Sequence, residues 1–295
     1  MSRNILDNKI FKDFMKHKYI KLSIIGEAVL ICFFIIWFSD KNNKKINDIN
    51  KLKEDNEITI NDNNEEKENH IEIPDRRENF KEAFSKNRET VGWIYIPGTT
   101  IDWPVMKGID NNYYLRRNEK KEYSFEGCIF GDDDSVFYPF QKLSNNVVIH
   151  GHNLDDNPDG KRFAQLIKFQ NMEFAKNTPY IFLTTEDAAL VYEIYSVFFT
   201  DIKFGYIQVG LNEEMQQAMI ESSKKRSEYI YNVDVTGRDK IITLSTCTYK
   251  YGPYGSNGQK NTRFAIQGKL LKDTDKLKET AEIKKNPTPK EPNLK

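Results

Sequence analysis

Cysteine is scarce in this sequence: Cys32, Cys128 and Cys247 are the only three in 295 residues. They form no CxxC pair and no even set at short spacing, which excludes a disulfide framework or a thiolate-rich zinc cluster. An odd count also leaves at least one thiol free within a single chain. Charge of one sign is lacking as well. The 44 Lys and Arg balance 44 Asp and Glu, so no long-range field favours nucleic acid as a partner. No internal repeat is present, and from Ser39 to Pro74 there is no aromatic residue.

The one long apolar run is Leu22 to Phe38, with Glu27 as its single charge. It falls slightly short of the roughly 20 residues that span a bilayer comfortably, although Tyr19 and Ile20 extend it if Lys21 snorkels. A buried helix is the alternative, but strongly polar flanks on both sides argue against it. No small-x-small cleavage pattern follows the run, where Ile36-Trp37-Phe38-Ser39-Asp40 is bulky, which argues against signal cleavage. The run is therefore read as an uncleaved transmembrane signal anchor over 22–38. Lysines flank it on both sides, so positive-inside asymmetry barely discriminates. A short arm before a long domain favours a cytoplasmic arm over 1–21, with everything after the anchor outside. The Lys, Asn and Glu content predicts a polar linker over 39–74 and a disordered tail over 272–295.

Between these segments, Asp75 can cap a helix running to about Asn87, with Phe80 and Phe84 on one stripe. From Val91 onward short β-rich runs alternate with Gly, Pro, Asn and Asp, predicting a mainly β barrel or sandwich. The predicted strands are Gly92–Ile96, Asp102–Met106, Cys128–Phe130, Asn146–His150, Tyr180–Leu183, Leu190–Phe199, Lys240–Ser245 and Arg263–Leu271. Helical pieces are predicted at Lys161–Ile167 and from Asn212 to about Tyr229, the latter with Met215, Met219 and Ile220 toward the core.

Alternation along Ile241-Ile242-Thr243-Leu244-Ser245-Thr246-Cys247 sends Ile242, Leu244 and Thr246 one way and Thr243, Ser245 and Cys247 the other. The second set reads as a polar ladder suited to a cleft floor. If the next strand pairs antiparallel, Arg263 stands beside Cys247. The Thr248–Asn261 loop carries Gly252, Pro253, Gly255 and Gly258, predicting a reversal rather than a helix. Upstream, Val147-Val148-Ile149-His150-Gly151-His152 ends another apolar strand in histidine. A thiol needs nearby positive charge to become a nucleophile, an arginine can stabilise an oxyanion, and an imidazole can move protons to and from amines. Cys32 and Cys128 have apolar neighbours and read as packing residues. A zinc site built from His150, His152 and Cys247 is a weaker alternative without a clear fourth ligand.

The order His, Cys, Arg, the stretch Thr243-Leu244-Ser245-Thr246-Cys247, His150-Gly151-His152-Asn153 and Thr262-Arg263-Phe264 resemble the sortases, membrane-anchored cysteine transpeptidases of Gram-positive bacteria. The run Val91 to Val105, Asn111-Asn112-Tyr113-Tyr114-Leu115 and the helix before the cysteine strand resemble class B in particular. The resemblance covers about 75–271 and implies a closed eight-stranded sortase-type β-barrel, extracellular, with an N-terminal helix and no cofactor. It implies Cys247 as nucleophile, His152 as acid/base and Arg263 as oxyanion donor, with Asn111, Leu115 and Ser245 lining the substrate groove. Implied partners are surface proteins with a C-terminal sorting signal, cleaved after Thr, and a peptidoglycan precursor amine from a cross-bridge or diaminopimelate; the membrane is met through 22–38. Two departures stand out. Thr248 follows the cysteine where some class B members carry an acid, and the loop to Arg263 is long. A surface cysteine protease passing the same thioester to water, or a noncatalytic surface-binding or pilus component, are the competing readings.

Overall fold

The structure is a computed structural model that describes residues 73–272 and 277–294. The predicted arm, the anchor and nearly all of the linker lie outside the described residues. Within the described residues no helix is long and apolar enough to cross a membrane.

Helix α1, Arg77–Lys86, opens where Asp75 Oδ1 accepts from the Arg77 amide at 2.9 Å. Phe80 and Phe84 stack with centroids 5.7 Å apart, and Phe80 is buried against the barrel. Arg76 donates from Nε and Nη2 to Asp102 at 2.9 and 3.0 Å, which fastens the start of the helix to the second strand.

The strands are β1 (Thr90–Tyr95), β2 (Asp102–Met106), β3 (Phe130–Gly131), β4 (Asn146–His150), β5 (Tyr180–Thr184), β6 (Ala189–Asp201), β7 (Tyr229–Tyr231), β8 (Ile241–Cys247), β9 (Thr262–Leu270) and β10 (Ile283–Lys285). Eight close a barrel in the order β1-β2-β3-β4-β8-β9-β6-β5, and β7 pairs with β10 separately. Each predicted strand is present, and β2 and β4 have the predicted ends. The third shifts because Ile129 O accepts from Met106 N and Cys128 N bonds Tyr114 O, so the ladder with β4 begins only at Phe130.

Inward-facing Ile242, Leu244, Phe264 and Ile266 join Ile94, Val147, Ile149 and Val197 in the barrel core. The outer face of β8 is covered too. Helix α3 (Glu213–Arg226), which follows the short α2 (Met172–Asn177), packs Met219 and Ile220 against Tyr195 and Ile241. Met215, predicted to face the core, is 53% exposed. The cover also corrects the polar ladder: Thr243 is fully buried, bonded to Asn146 Oδ1 at 2.8 Å and Gln267 Nε2 at 3.0 Å, so it forms no part of a cleft floor.

The helix predicted from Lys161 is a 3-10 helix, Arg162–Gln170, with Phe163, Leu166 and Phe169 buried. The Cys-to-Arg loop contains a short helix, α4 (Asn257–Asn261), where the sequence predicts a plain reversal. Ser256 Oγ caps it by accepting from Gln259 N, and a Cβ at Gly258 would come within 2.0 Å of Tyr251 O, so glycine admits the close approach.

The tail is a further correction, since 277–294 is structured. Ala281 is buried in the core, β10 extends β7 in register Ile283↔Tyr231, and Lys285 Nζ reaches Glu228 at 2.8 Å. Polar composition misleads here because backbone pairing and a few apolar anchors hold the segment on an open strand edge.

Candidate active site

Strands β4 and β8 run parallel, with Val148↔Thr243 and His150↔Ser245 in register, so their ends lie side by side. The chain leaves β4 through Gly151 to His152, while β8 ends on Cys247. A Cβ at Gly151 would lie 2.7 Å from the Phe163 ring, so this tight exit requires glycine. Strand β9 returns antiparallel with Arg263 directly opposite Cys247. Side chains so placed on one face are nearest cross-strand neighbours.

All six residues singled out from sequence line one cleft of about 270 Å3: Asn111, Leu115, His152, Ser245, Cys247 and Arg263. The sequence reading misses the wall formed by Ile202, Tyr206 and Ile207, which lie between β6 and α3, and also Phe130 and Asp132. No local motif marks these residues; only the barrel closure brings them to the cleft.

His152 Nε2 lies 2.7 Å from Leu115 O. A carbonyl only accepts, so Nε2 carries the proton and Nδ1 of the neutral ring keeps a lone pair. Burial pushes the imidazole below its ordinary value, helped by the charges of Arg116 and Arg162 and opposed by the Leu115 carbonyl. The ring is therefore neutral near pH 7, ready to accept a proton. Leu115 thus orients this imidazole as well as lining the cleft.

Arg263 Nη1 donates to Lys260 O and Thr262 O, both at 2.8 Å, leaving the hydrogens of Nε and Nη2 for other acceptors. Ser245 Oγ is 2.8 Å from Tyr206 OH, tying the cleft floor to its wall. The side chain of Asn111 is occupied in a different way from that expected of a groove residue. It donates to Asp132 Oδ2 at 3.0 Å and Asp133 Oδ1 at 2.8 Å, and accepts from Asp133 N at 2.9 Å.

Asp132 is buried and receives His150 Nε2 at 3.0 Å. Burial alone would raise its carboxyl, but the His150 bond, the Asp134 amide and Asn111 outweigh it and hold the group below the ordinary carboxylate range. His150 and His152 are thus turned to different partners rather than jointly toward Cys247. Among the described residues, the grouping of three possible metal ligands is Asp132, Asp133 and Asp134.

Comparison with known proteins agrees with this geometry. The sortase domain family matches residues 94–271. The chain belongs to the sortase family. Its relatives place it in class B: Sortase B of Listeria monocytogenes is 33% identical over 196 residues, covering 66% of this chain and 75% of the relative. The crystal structure of Clostridium perfringens Sortase B is 30% identical, with a TM-score of 0.57, covering 65% of this chain and 99% of that one. A Staphylococcus aureus sortase B–substrate complex is 26% identical with a TM-score of 0.58, covering 70% and 88%. This class B sortase is accordingly a cysteine transpeptidase of surface-protein anchoring, acting on sorting signals with an amine as acceptor. Its barrel, as expected from the resemblance, is closed by eight strands.

Proposed function

We propose that this sortase cleaves the C-terminal sorting signal of surface proteins after threonine and joins the new carboxyl end to an amine of a peptidoglycan precursor. The observation that carries the residue roles is the meeting of His152, Cys247 and Arg263 on one cleft, with Cys247 and Arg263 paired across β8 and β9. Cys247 sulfur attacks the carbonyl carbon of the scissile peptide bond, and His152 takes the thiol proton. The oxyanion is met by Arg263 hydrogens. The C–N bond then breaks as His152 gives that proton to the leaving amine, leaving a thioester. An incoming amine attacks the thioester, loses a proton to His152, and forms the new amide as Cys247 leaves.

Ser245 and Leu115 contribute to the acyl-donor groove, and Asn111 contributes by holding Asp132 and the 132–133 turn. A sortase B solved in complex with triglycine, 26% identical to this chain, supports an oligoglycine-like amine as one acceptor to be tried. We further propose that residues 22–38 anchor the chain in the cell membrane as a single pass, with the catalytic domain outside. In reaction class this is a thiol-dependent peptidase that prefers an amine to water.

Mass spectrometry of residues 73–294 with sorting-signal peptides, with and without triglycine, tests the reading. The expected result is a thioester on Cys247 that added amine converts to an amide. An adduct that survives Cys247→Ala sinks the nucleophile assignment. Release of free acid alone, unaltered by amine, assigns a hydrolase instead.

A further inference from the structure

The ladder between β4 and β8 ends at His150↔Ser245. Two last bonds follow, Gly151 N to Ser245 O at 3.3 Å and Thr246 Oγ1 to Gly151 O at 2.7 Å. His152 and Cys247 lie at and beyond this limit, on two segments that no regular strand pairing joins. Their separation nevertheless has to be fixed, because one proton must pass between them.

The bonds that continue the connection converge on Asp156. Asn153, almost fully buried, donates from Nδ2 to Cys247 O at 3.0 Å and to Asp156 Oδ1 at 2.5 Å, while its Oδ1 accepts from Asp156 N at 2.9 Å. The other carboxylate oxygen, Asp156 Oδ2, accepts from Thr248 Oγ1 at 3.1 Å and from Tyr249 N at 2.8 Å. One oxygen thus serves the histidine segment and the other the cysteine segment. The backbone at Asp156 has φ +53°, in the left-handed region that Asp and Asn tolerate better than other side-chain-bearing residues. The residue directly after Cys247 is Thr248 and not an acid; the carboxylate that meets Thr248 comes from another loop.

We propose that Asp156 is a positioning residue that latches the cysteine segment to the histidine segment and so sets the distance between Cys247 and His152. The inference rests on the roles given above to those two residues. Asp156 reaches the nucleophile only through Asn153, Thr248 and Tyr249, and it does not line the cleft. Its removal therefore alters proton transfer and attack geometry while leaving the peptide groove in place.

Two variants separate this from a general effect on folding. Asp156→Asn keeps a residue that accepts the left-handed backbone but sets an NH2 against one of the donors, whereas Asp156→Ala removes both acceptors. Thioester formation from a sorting-signal peptide is measured with each. The expected result is a kcat about ten- to hundredfold lower for Ala and a smaller loss for Asn, with KM unchanged within about twofold. The Tyr249 amide exchanges hydrogen faster in both variants, and iodoacetamide labels Cys247 at the wild-type rate. If Ala fails to fold, Asn carries the test. A wild-type kcat in the Asn variant despite faster Tyr249 exchange, or a raised KM at unchanged kcat, overturns the latch. Failure of the wild-type chain to form a thioester overturns the nucleophile assignment and the latch's role in catalysis with it.

Discussion

Cys128 and Cys247 carry the same thiol in opposite surroundings. Cys128 is enclosed among Met106, Tyr114 and Phe130, and burial drives its thiol far above the ordinary range, whereas Cys247 is partly exposed in the cleft. Alkylation of folded residues 73–294 is therefore expected to label Cys247 alone, as peptide mapping will show; equal labelling of Cys128 contradicts the packing. His152 adds a pH signature. Its folded value lies below the ordinary 6.5, so the unfolded chain binds the proton more readily. Its neutral form is compatible with full stability above about 6.5, and stability is lost as pH falls from there through the depressed folded value. The carboxyl of Asp132 is also depressed, but its contribution is lost in a lower window, below the ordinary carboxylate value. Melting temperature should thus drop between pH 7 and 5 in the wild type, and less in His152→Gln. Equal drops in both would remove His152 as the cause. The chemistry of these residues is legible in the TLSTC and HGHN stretches, but their environments are not, since Leu115 and Arg116 approach His152 from a distant part of the chain and Arg162 is turned toward it by the 3-10 helix that follows.

The strands are legible in sequence because burial alternates along them and Gly, Asn and Pro break the runs. β1 shows that alternation plainly, while β8 is covered on both faces. Cover from a distant element is invisible in a local pattern, which is why alternation alone misplaces Thr243 on the cleft floor. Asn146 binds the connection that leads into that covering helix to the barrel. It donates to Tyr206 O at 3.1 Å and Gln208 O at 3.0 Å, and accepts from Thr243 Oγ1. Asn146→Ala leaves these buried groups short of partners and is expected to cost about 1–3 kcal/mol in urea unfolding. The freed carbonyls belong to the segment bearing Tyr206 and Ile207, so KM for the peptide should rise as well. A variant with unchanged midpoint and unchanged KM would show that the connection is held elsewhere.

At the scale of the whole domain, the C-terminal segment is part of the folded structure and not an appendage to it. Besides pairing with β7, it gives the Ala281 amide to Lys176 O at 2.8 Å, brings Glu291 to Tyr251 OH at 2.5 Å in the Cys-to-Arg loop, and reaches Asp201 through the Asn293 amide at 3.1 Å. Its exposed ion pairs add little, but the backbone bonds and the burial of Ala281 do not depend on salt. Residues 73–271 should therefore be less stable than 73–294 by on the order of 2 kcal/mol, read from their unfolding midpoints. Equal midpoints would show the segment to be a passive passenger.

The sequence by itself determined the mainly β texture, the insertion before the cysteine strand and the three reactive side chains, because those follow from period-two burial, helix patterning and side-chain chemistry. Only the tertiary structure decided the register that sets Arg263 opposite Cys247, the burial that lowers His152, the order of the C-terminal segment and the Asp156 contacts. Each of these depends on groups brought together across long stretches of chain, where loop length leaves the register open and desolvation is a property of the assembled neighbours rather than of the residue.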